Sequence, residues 1–304
     1  MVETSWANHY KIGYNNYWFT FRESPLDRLD IFDDGCSRKP MSFAMEAVNT
    51  ASIIAEKYGA DNLCLFYSGG GDSEIVMNSF IGLGKYPRKI VFLNYGSNKY
   101  DQVNAVAYAK YYQIPIEVVN LDTEELLRSG ESLEICNRYQ CGQVGLSFYL
   151  KAIETYCKDY YVITGDDPYI ERMHNPLTHT DDWFFFAREP FYALWKIFIK
   201  NNVDGCPNFI QYSPELFTSF WDDPIMQWLI NDQTELNCSN QVKGDIYRHR
   251  FFIKPRYKST GMETFAHLVY EQNQALLIKY PDITNQELKL PFNDLYHQLT
   301  RFIK

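Results

Sequence analysis

Apolar positions change period along this chain, and the changes mark its elements. Ala44, Ala47, Val48, Ala51, Ile54, Ala55 and Tyr58 share one helical face over residues 42–58, with Ser42 placed to cap it. Leu63–Phe66 is an unbroken apolar run of strand length. Val76, Phe80 and Leu83 then return to helical spacing. The pattern continues with a buried strand at Lys89–Tyr95, a helix over about 99–112, a third strand at Ile114–Leu121, a helix over about 143–158 and a fourth strand at Tyr160–Thr164. Strands alternating with helices predict a parallel, doubly wound sheet in three α/β/α layers. Ligands on such sheets sit at the carboxyl ends of the strands.

The flanks read differently. Residues 1–40 carry short aromatic runs (Tyr14, Tyr17, Trp18, Phe19, Phe21), then Pro25 and the turn Asp33-Asp34-Gly35, which predicts one or two strands or a hairpin. Beyond residue 170 the alternation stops. Trp183–Phe186 and Phe191–Ile199 are aromatic-rich, Pro214–Ile230 reads as helix, and 262–279 and 284–303 read as two closing helices. The expected division is an N-terminal strand segment (1–40), a sheet domain (41–170) and a mostly helical lobe (171–304). No internal repeat, low-complexity tract or long linker interrupts it.

Between the first buried strand and its helix lies Ser68-Gly69-Gly70-Gly71-Asp72-Ser73. Consecutive glycines let the backbone turn sharply and bring bare N–H groups close to a ligand. Ser73 is a good first residue for the following helix, whose dipole and free N–H groups attract an anion. Strand, glycine turn and helix N-terminus together predict a phosphate cradle. It is not the common P-loop, because there is no Gly-x4-Gly-Lys-Ser/Thr and no lysine in the turn.

The segment resembles the PP-loop, Ser-Gly-Gly-x-Asp-Ser, of the ATP pyrophosphatase superfamily. In style it is nearest to the synthetase domain of asparagine synthetase and to 7-cyano-7-deazaguanine synthase. The resemblance implies a fold of the adenine nucleotide alpha hydrolase type. It also implies ATP and Mg²⁺ as cofactors, and transfer of AMP to a substrate oxygen with release of pyrophosphate. A nitrogen nucleophile would then displace AMP from a small-molecule or heterocyclic acceptor. Sulfur transfer, sulfonucleotide reduction and nucleotide binding without turnover are the other readings. Glutamine-using asparagine synthetases begin with a cysteine directly after the initiator methionine. Here that position is Val2, so an attached glutaminase is not expected, and ammonia or an amine from a separate protein would supply nitrogen.

On this resemblance Ser68, Gly69, Gly70, Gly71, Asp72 and Ser73 would bind the nucleotide, with Asn98 and Asp101 beside it. A carboxylate next to polyphosphate needs an intervening cation, which makes Asp72 a natural magnesium ligand. Asp166 and Asp167, in Thr164-Gly165-Asp166-Asp167-Pro168 after the fourth strand, would complete the metal site; a plain Asx turn before Pro168 is the other reading. Asp101 could equally be a first-turn acid favoured by the helix dipole. Arg138 matches an arginine that relatives place on the substrate and phosphate side, or is simply exposed. Lys254, Arg256 and Lys258 gather positive charge suited to a leaving pyrophosphate, or form a solvated basic loop. Thr260-Gly261-Met262-Glu263 after them is a weak further match.

Composition narrows this picture. The 304 residues are 46% hydrophobic and 22% charged, ordinary for a globular protein, with a formal charge of -9. That charge argues against general binding to nucleic acid or to an anionic membrane. Aromatics reach 17%, enough to line a groove as well as a core. The seven cysteines are an odd number without C-x-x-C spacing, which fits reduced thiols in a cytoplasmic protein. Cys136 and Cys141 matter only for the sulfur reading. No apolar run reaches spanning length, and no basic-then-apolar leader opens the sequence. His174 and His179, with Glu171, Asp181 and Asp182 nearby, are a candidate transition-metal group or a plain polar loop.

Overall fold

The computed structural model describes residues 10–166, 168–231, 235–255, 262–279, 287–301 and 303. It opens with a three-stranded antiparallel sheet of β1 (Tyr10–Tyr14), β2 (Tyr17–Trp18) and β3 (Leu29–Asp33) in the order β2-β1-β3. After α1 (Phe43–Tyr58) come β4 (Leu63–Phe66), α2 (Gly71–Leu83), β5 (Lys89–Asn94), α3 (Lys99–Tyr111) and β6 (Glu117–Asn120). Three helices, α4 (Thr123–Arg128), α5 (Glu131–Tyr139) and α6 (Ser147–Tyr156), lead back to β7 (Tyr161–Thr164).

These strands form one parallel sheet, and strand alternation explains how it is covered on both faces. Leu63 and Leu65 of β4 point to one core with Ile90 and Phe92 of β5, against α1 and α2. Cys64 and Phe66 point to a second core with Val91 and Leu93, against α5 and α6. Side chains of successive strand residues face opposite ways, so the inner strands β4, β5 and β7 are buried on both sides and read as unbroken apolar runs, whereas β6 at the sheet edge is only half-buried. The result is an α/β fold of three layers.

The alternation goes one strand further than the hydrophobic pattern predicts. After the hairpin β8 (Tyr169–Asn175) and β9 (Thr180–Arg188), helix α7 (Glu189–Asn201) returns the chain to β10 (Gly205–Cys206), which pairs with β7. The sheet order is β10-β7-β4-β5-β6. A two-residue strand is too short to show a period, which is why the sequence hides it.

The remainder is mostly helical: α8 (Pro214–Trp221), α9 (Pro224–Asn231), α10 (Asn240–Phe251), α11 (Ala266–Lys279) and α12 (Phe292–Thr300). Pro214–Ile230 is therefore two helices, broken before Pro224, whose ring cannot continue the preceding helix. The helix expected over 284–303 is instead β11 (Glu287–Pro291) followed by α12, because Glu287–Pro291 pairs antiparallel with β9. Tertiary pairing overrides local period there. Among the described residues no helix is long and apolar enough to cross a membrane.

Candidate functional site

The chain passes from β4 to β5 to β6 in one direction, then jumps back so that β7 lies on the other side of β4. This reversal opens a crevice between the carboxyl ends of β4 and β7, where open α/β sheets take their ligands. Both strand ends carry polar loops. Ser68–Gly70 follows β4, and Gly165-Asp166 follows β7.

The first loop is held in shape by its own serines. The Ser68 N–H donates to Ser73 Oγ at 3.1 Å, the two hydroxyls lie 3.1 Å apart, and Ser73 Oγ donates to the Gly70 carbonyl at 3.0 Å. Gly70, not Ser73, is the residue that caps α2. Ser73 sits in the first turn and latches the loop from inside. Gly69 has φ of +73°, and a Cβ there would fall 2.6 Å from the Asp101 carbonyl. Only glycine meets both conditions. The first N–H groups of α2 have no acceptor within the helix and face the crevice with the positive end of its dipole.

Gly165 brings the second loop against the first. A Cβ on it would meet Ser73 Cα and N at 2.8 Å and Asp72 C at 2.9 Å. Asp166 is thereby set alongside Asp72. Tyr149 of α6 registers both: burial, then the charges of Asp166 and Asp72, push its hydroxyl well above the usual tyrosine range. Asp72 and Asp166, on adjoining strand-end loops, are the carboxylates that could hold Mg²⁺, which keeps waters and takes one or two carboxylates plus phosphate oxygens.

Two residues that sequence reasoning missed complete this corner. On α10, Tyr247 donates its hydroxyl to Asp72 Oδ1 at 2.7 Å, and Lys243 Nζ stands 3.5 Å from the same oxygen. They are four residues apart and so share one helix face. The start of α10 is pinned to β8, since Ser239 N donates to the Ile170 carbonyl at 3.0 Å and Ser239 Oγ accepts from Ile170 N at 3.1 Å.

The other predicted residues distribute unevenly. Asp101 is buried in the first turn of α3, its carbonyl against Gly69. Asn98 is also buried, but its amide closes its own turn, accepting from Tyr95 N at 2.8 Å and donating to the Leu93 carbonyl at 2.9 Å. Arg138 does not join the loop. Its Nη1 grips both Glu154 oxygens at 2.8 and 2.7 Å. Glu154 lies near the end of α6 that leads into β7, at the amino edge of the sheet, so the ion pair holds the guanidinium at the wrong edge.

Lys254 is exposed beyond the end of α10, and the carbonyl of Phe251 there accepts from Asn78, far along α2 from Asp72. Among the described residues the cation beside Asp72 is Lys243. Arg256, Lys258 and Asp167 lie outside the described residues, as does Thr260-Gly261. His174 meets Asp181 at 3.3 Å with both side chains exposed. Among the described residues no group of three histidine, cysteine or acidic side chains is arranged to hold a metal ion. Cys136 and Cys141 are fully buried and both donate to the Gln143 carbonyl, at 3.8 and 3.3 Å, and the neighbouring Cys141, then burial, push the Cys136 thiol far up.

Beyond Asp166 the crevice deepens into a cavity of about 290 Å³. Its walls are the aromatic residues of β1, β9 and α7, with Asn208 and Gln211 behind β10 and Asn240 of α10 at the rim. Tyr10 and Trp195 stack there at 5.3 Å, 27° from parallel.

Fold and site together define a parallel α/β protein with a glycine-shaped strand-to-helix turn at its topological switch point and Asp72 and Asp166 on the two adjoining loops. Among solved structures it is similar to the NMN synthetase from Francisella tularensis, with 15% identity over 81% of this chain and 96% of that chain and a TM-score of 0.35. No protein-family model matches the sequence, and no curated protein does.

Proposed function

We propose that this chain is an ATP-dependent synthetase of the PP-loop kind, which transfers AMP to an oxygen of a small acceptor. The observation that carries the reading is the apposition of two strand-end loops: Gly165 lies on the Asp72–Ser73 backbone and sets Asp166 beside a cradle of N–H groups. The cradle suits a departing pyrophosphate. Asp72 and Asp166 are the residues that would hold magnesium, whose charge would offset that developing on the leaving group. Lys243 adds a fixed cation beside them.

The acceptor oxygen attacks the α-phosphorus, and the bond from that phosphorus to the oxygen bridging it to the β-phosphate breaks. The electron pair leaves with pyrophosphate. An amine or ammonia then bonds to the activated carbon, AMP departs with the former acceptor oxygen, and a proton passes to water. The loop has no lysine with which to reach a terminal phosphate, so ADP-forming chemistry is disfavoured.

Sulfur transfer is the weaker reading, because thiols that react are accessible thiolates, whereas Cys136 and Cys141 are sealed in the core. The test is turnover of α- and γ-labelled ATP with cell extract as the source of acceptor. AMP and pyrophosphate are expected. Label leaving the γ position as orthophosphate, with ADP and no AMP, overturns the assignment.

A further inference from the structure

The third glycine of the turn is a glycine for a reason that lies far along the chain. Gly71 opens α2, and its φ is not in the left-handed region, so the backbone itself does not demand glycine there. A Cβ on it would instead fall 2.9 and 3.2 Å from Cδ2 and Cε2 of Tyr247. The Tyr247 ring fills the space that a side chain at position 71 would take.

That ring delivers its hydroxyl to the next residue. It donates to Asp72 Oδ1 at 2.7 Å, and Lys243 Nζ stands 3.5 Å from the same oxygen. Among the described residues no group donates to Oδ2, and the Asp72 side chain is 22% exposed. An aspartate carboxylate turns easily about its last bond. A donor fixed on one oxygen sets that rotation and leaves the other oxygen unclaimed.

Tyr247 does not depend on Asp72 for its own place. It is buried, and α10 is anchored at both ends. Ser239 is bonded to Ile170 of β8, and the Phe251 carbonyl accepts from Asn78 of α2 at 3.2 Å. A partner held this firmly is what orients a ligating side chain.

We infer that Tyr247 is the positioning residue of the metal carboxylate: packed on Gly71, it takes Asp72 Oδ1 and reserves Oδ2 for the cation. The inference rests on the magnesium reading of Asp72. It adds that Gly71 and Tyr247 work as one device. A methyl at position 71 must push the ring aside, and the ring carries its hydroxyl off Asp72 as it moves.

The test uses the full chain, Mn²⁺ as a paramagnetic stand-in for Mg²⁺, and α,β-methylene-ATP, which cannot be cleaved between its α and β phosphates. Free Mn²⁺ is counted by electron paramagnetic resonance, and circular dichroism checks that each variant is folded. Tyr247→Phe is expected to weaken Mn²⁺ binding at least about tenfold, with nucleotide binding in EDTA kept within about twofold of the parent. Gly71→Ala should weaken Mn²⁺ by about the same factor, although it removes no hydrogen-bonding group. In the double variant the losses should not multiply: binding stays within about twofold of Tyr247→Phe, because both changes break one bond.

Tyr247→Phe binding Mn²⁺ as tightly as the parent overturns the inference. An equal loss of metal-free nucleotide binding does so too, since the tyrosine would then belong to the cradle. Losses that multiply in the double variant have the same force. All three leave the magnesium reading standing. A parent that binds no Mn²⁺ with the nucleotide present sinks that reading, and the inference with it.

Discussion

The cradle and the cavity share one crevice but are built in opposite ways. The cradle is contiguous and made of backbone. Its geometry is set by six adjacent residues, by a glycine at φ of +73° and by serines that bond to their own neighbours. The cavity is made of side chains gathered from β1, β9, α7 and the segment behind β10. Backbone N–H groups recognise phosphate whatever molecule carries it. On the proposed reading, a particular acceptor would be told apart by such scattered side chains.

Substitutions should separate the two. Asp72→Ala removes the carboxylate that Tyr247 and Lys243 hold, and is expected to abolish Mg-dependent ATP binding or weaken it at least about a hundredfold. Calorimetry showing Mg-ATP bound as tightly as by the parent would end the metal role.

Gly165→Ala tests apposition directly. Its Cβ would sit 2.8 Å from Ser73 backbone atoms, so the loops must separate. AMP formation should fall about 10- to 100-fold, because ångström-scale misplacement carries such penalties, with about 1–3 kcal/mol lost in stability. Unchanged kinetics would mean that the two loops work independently.

Lys243→Met should slow AMP formation about tenfold while leaving the fold intact, as a fixed cation beside the leaving group is lost. A rate equal to the parent's would return the residue to a purely structural role. Ser73→Ala loosens the latch inside the loop, for which a loss of about threefold in ATP affinity is expected.

The smallest effect on activity belongs to Asp33, in the sheet that contributes Tyr10 to the cavity wall. Burial pushes its carboxyl from the usual 3.8 up to about 7, and one of its oxygens has no partner. A raised acid favours the folded state fully below pH 4, and the benefit is lost as pH rises through 7. Asp33→Asn should therefore stabilise the protein by about 2–4 kcal/mol at pH 8, with little change near pH 4. Thermal melts across that range check it, and a gain that does not depend on pH would refute the buried-charge account.

The same contrast explains what could be read beforehand. Strands such as Leu63–Phe66 and Tyr161–Thr164 were legible because burial on both faces leaves an unbroken apolar signature. The cradle was legible because glycine spacing encodes turn geometry. Lys243 and Tyr247 were not, being ordinary residues of a polar helix whose partner lies 171 and 175 positions away. Charge clustering misdirected attention to Lys254, since density along a sequence says nothing about which edge of a sheet it reaches. Arg138 failed for a related reason: its nearest carboxylate, Glu154, settled its place. The cavity left only an excess of aromatic residues as its trace.

Helix α10 touches both halves of the crevice. Asn240 borders the cavity, while Lys243 and Tyr247 reach Asp72 one and two turns later, and Ser239 ties the helix to β8. One helix thus borders the cavity and holds the Asp72 loop. Were both occupied, any coupling carried by that helix would be symmetric: whatever factor one ligand added to or took from the affinity of the other would be returned in equal measure. On the proposed reading, such a helix would let occupancy of one loop cluster bear on the other.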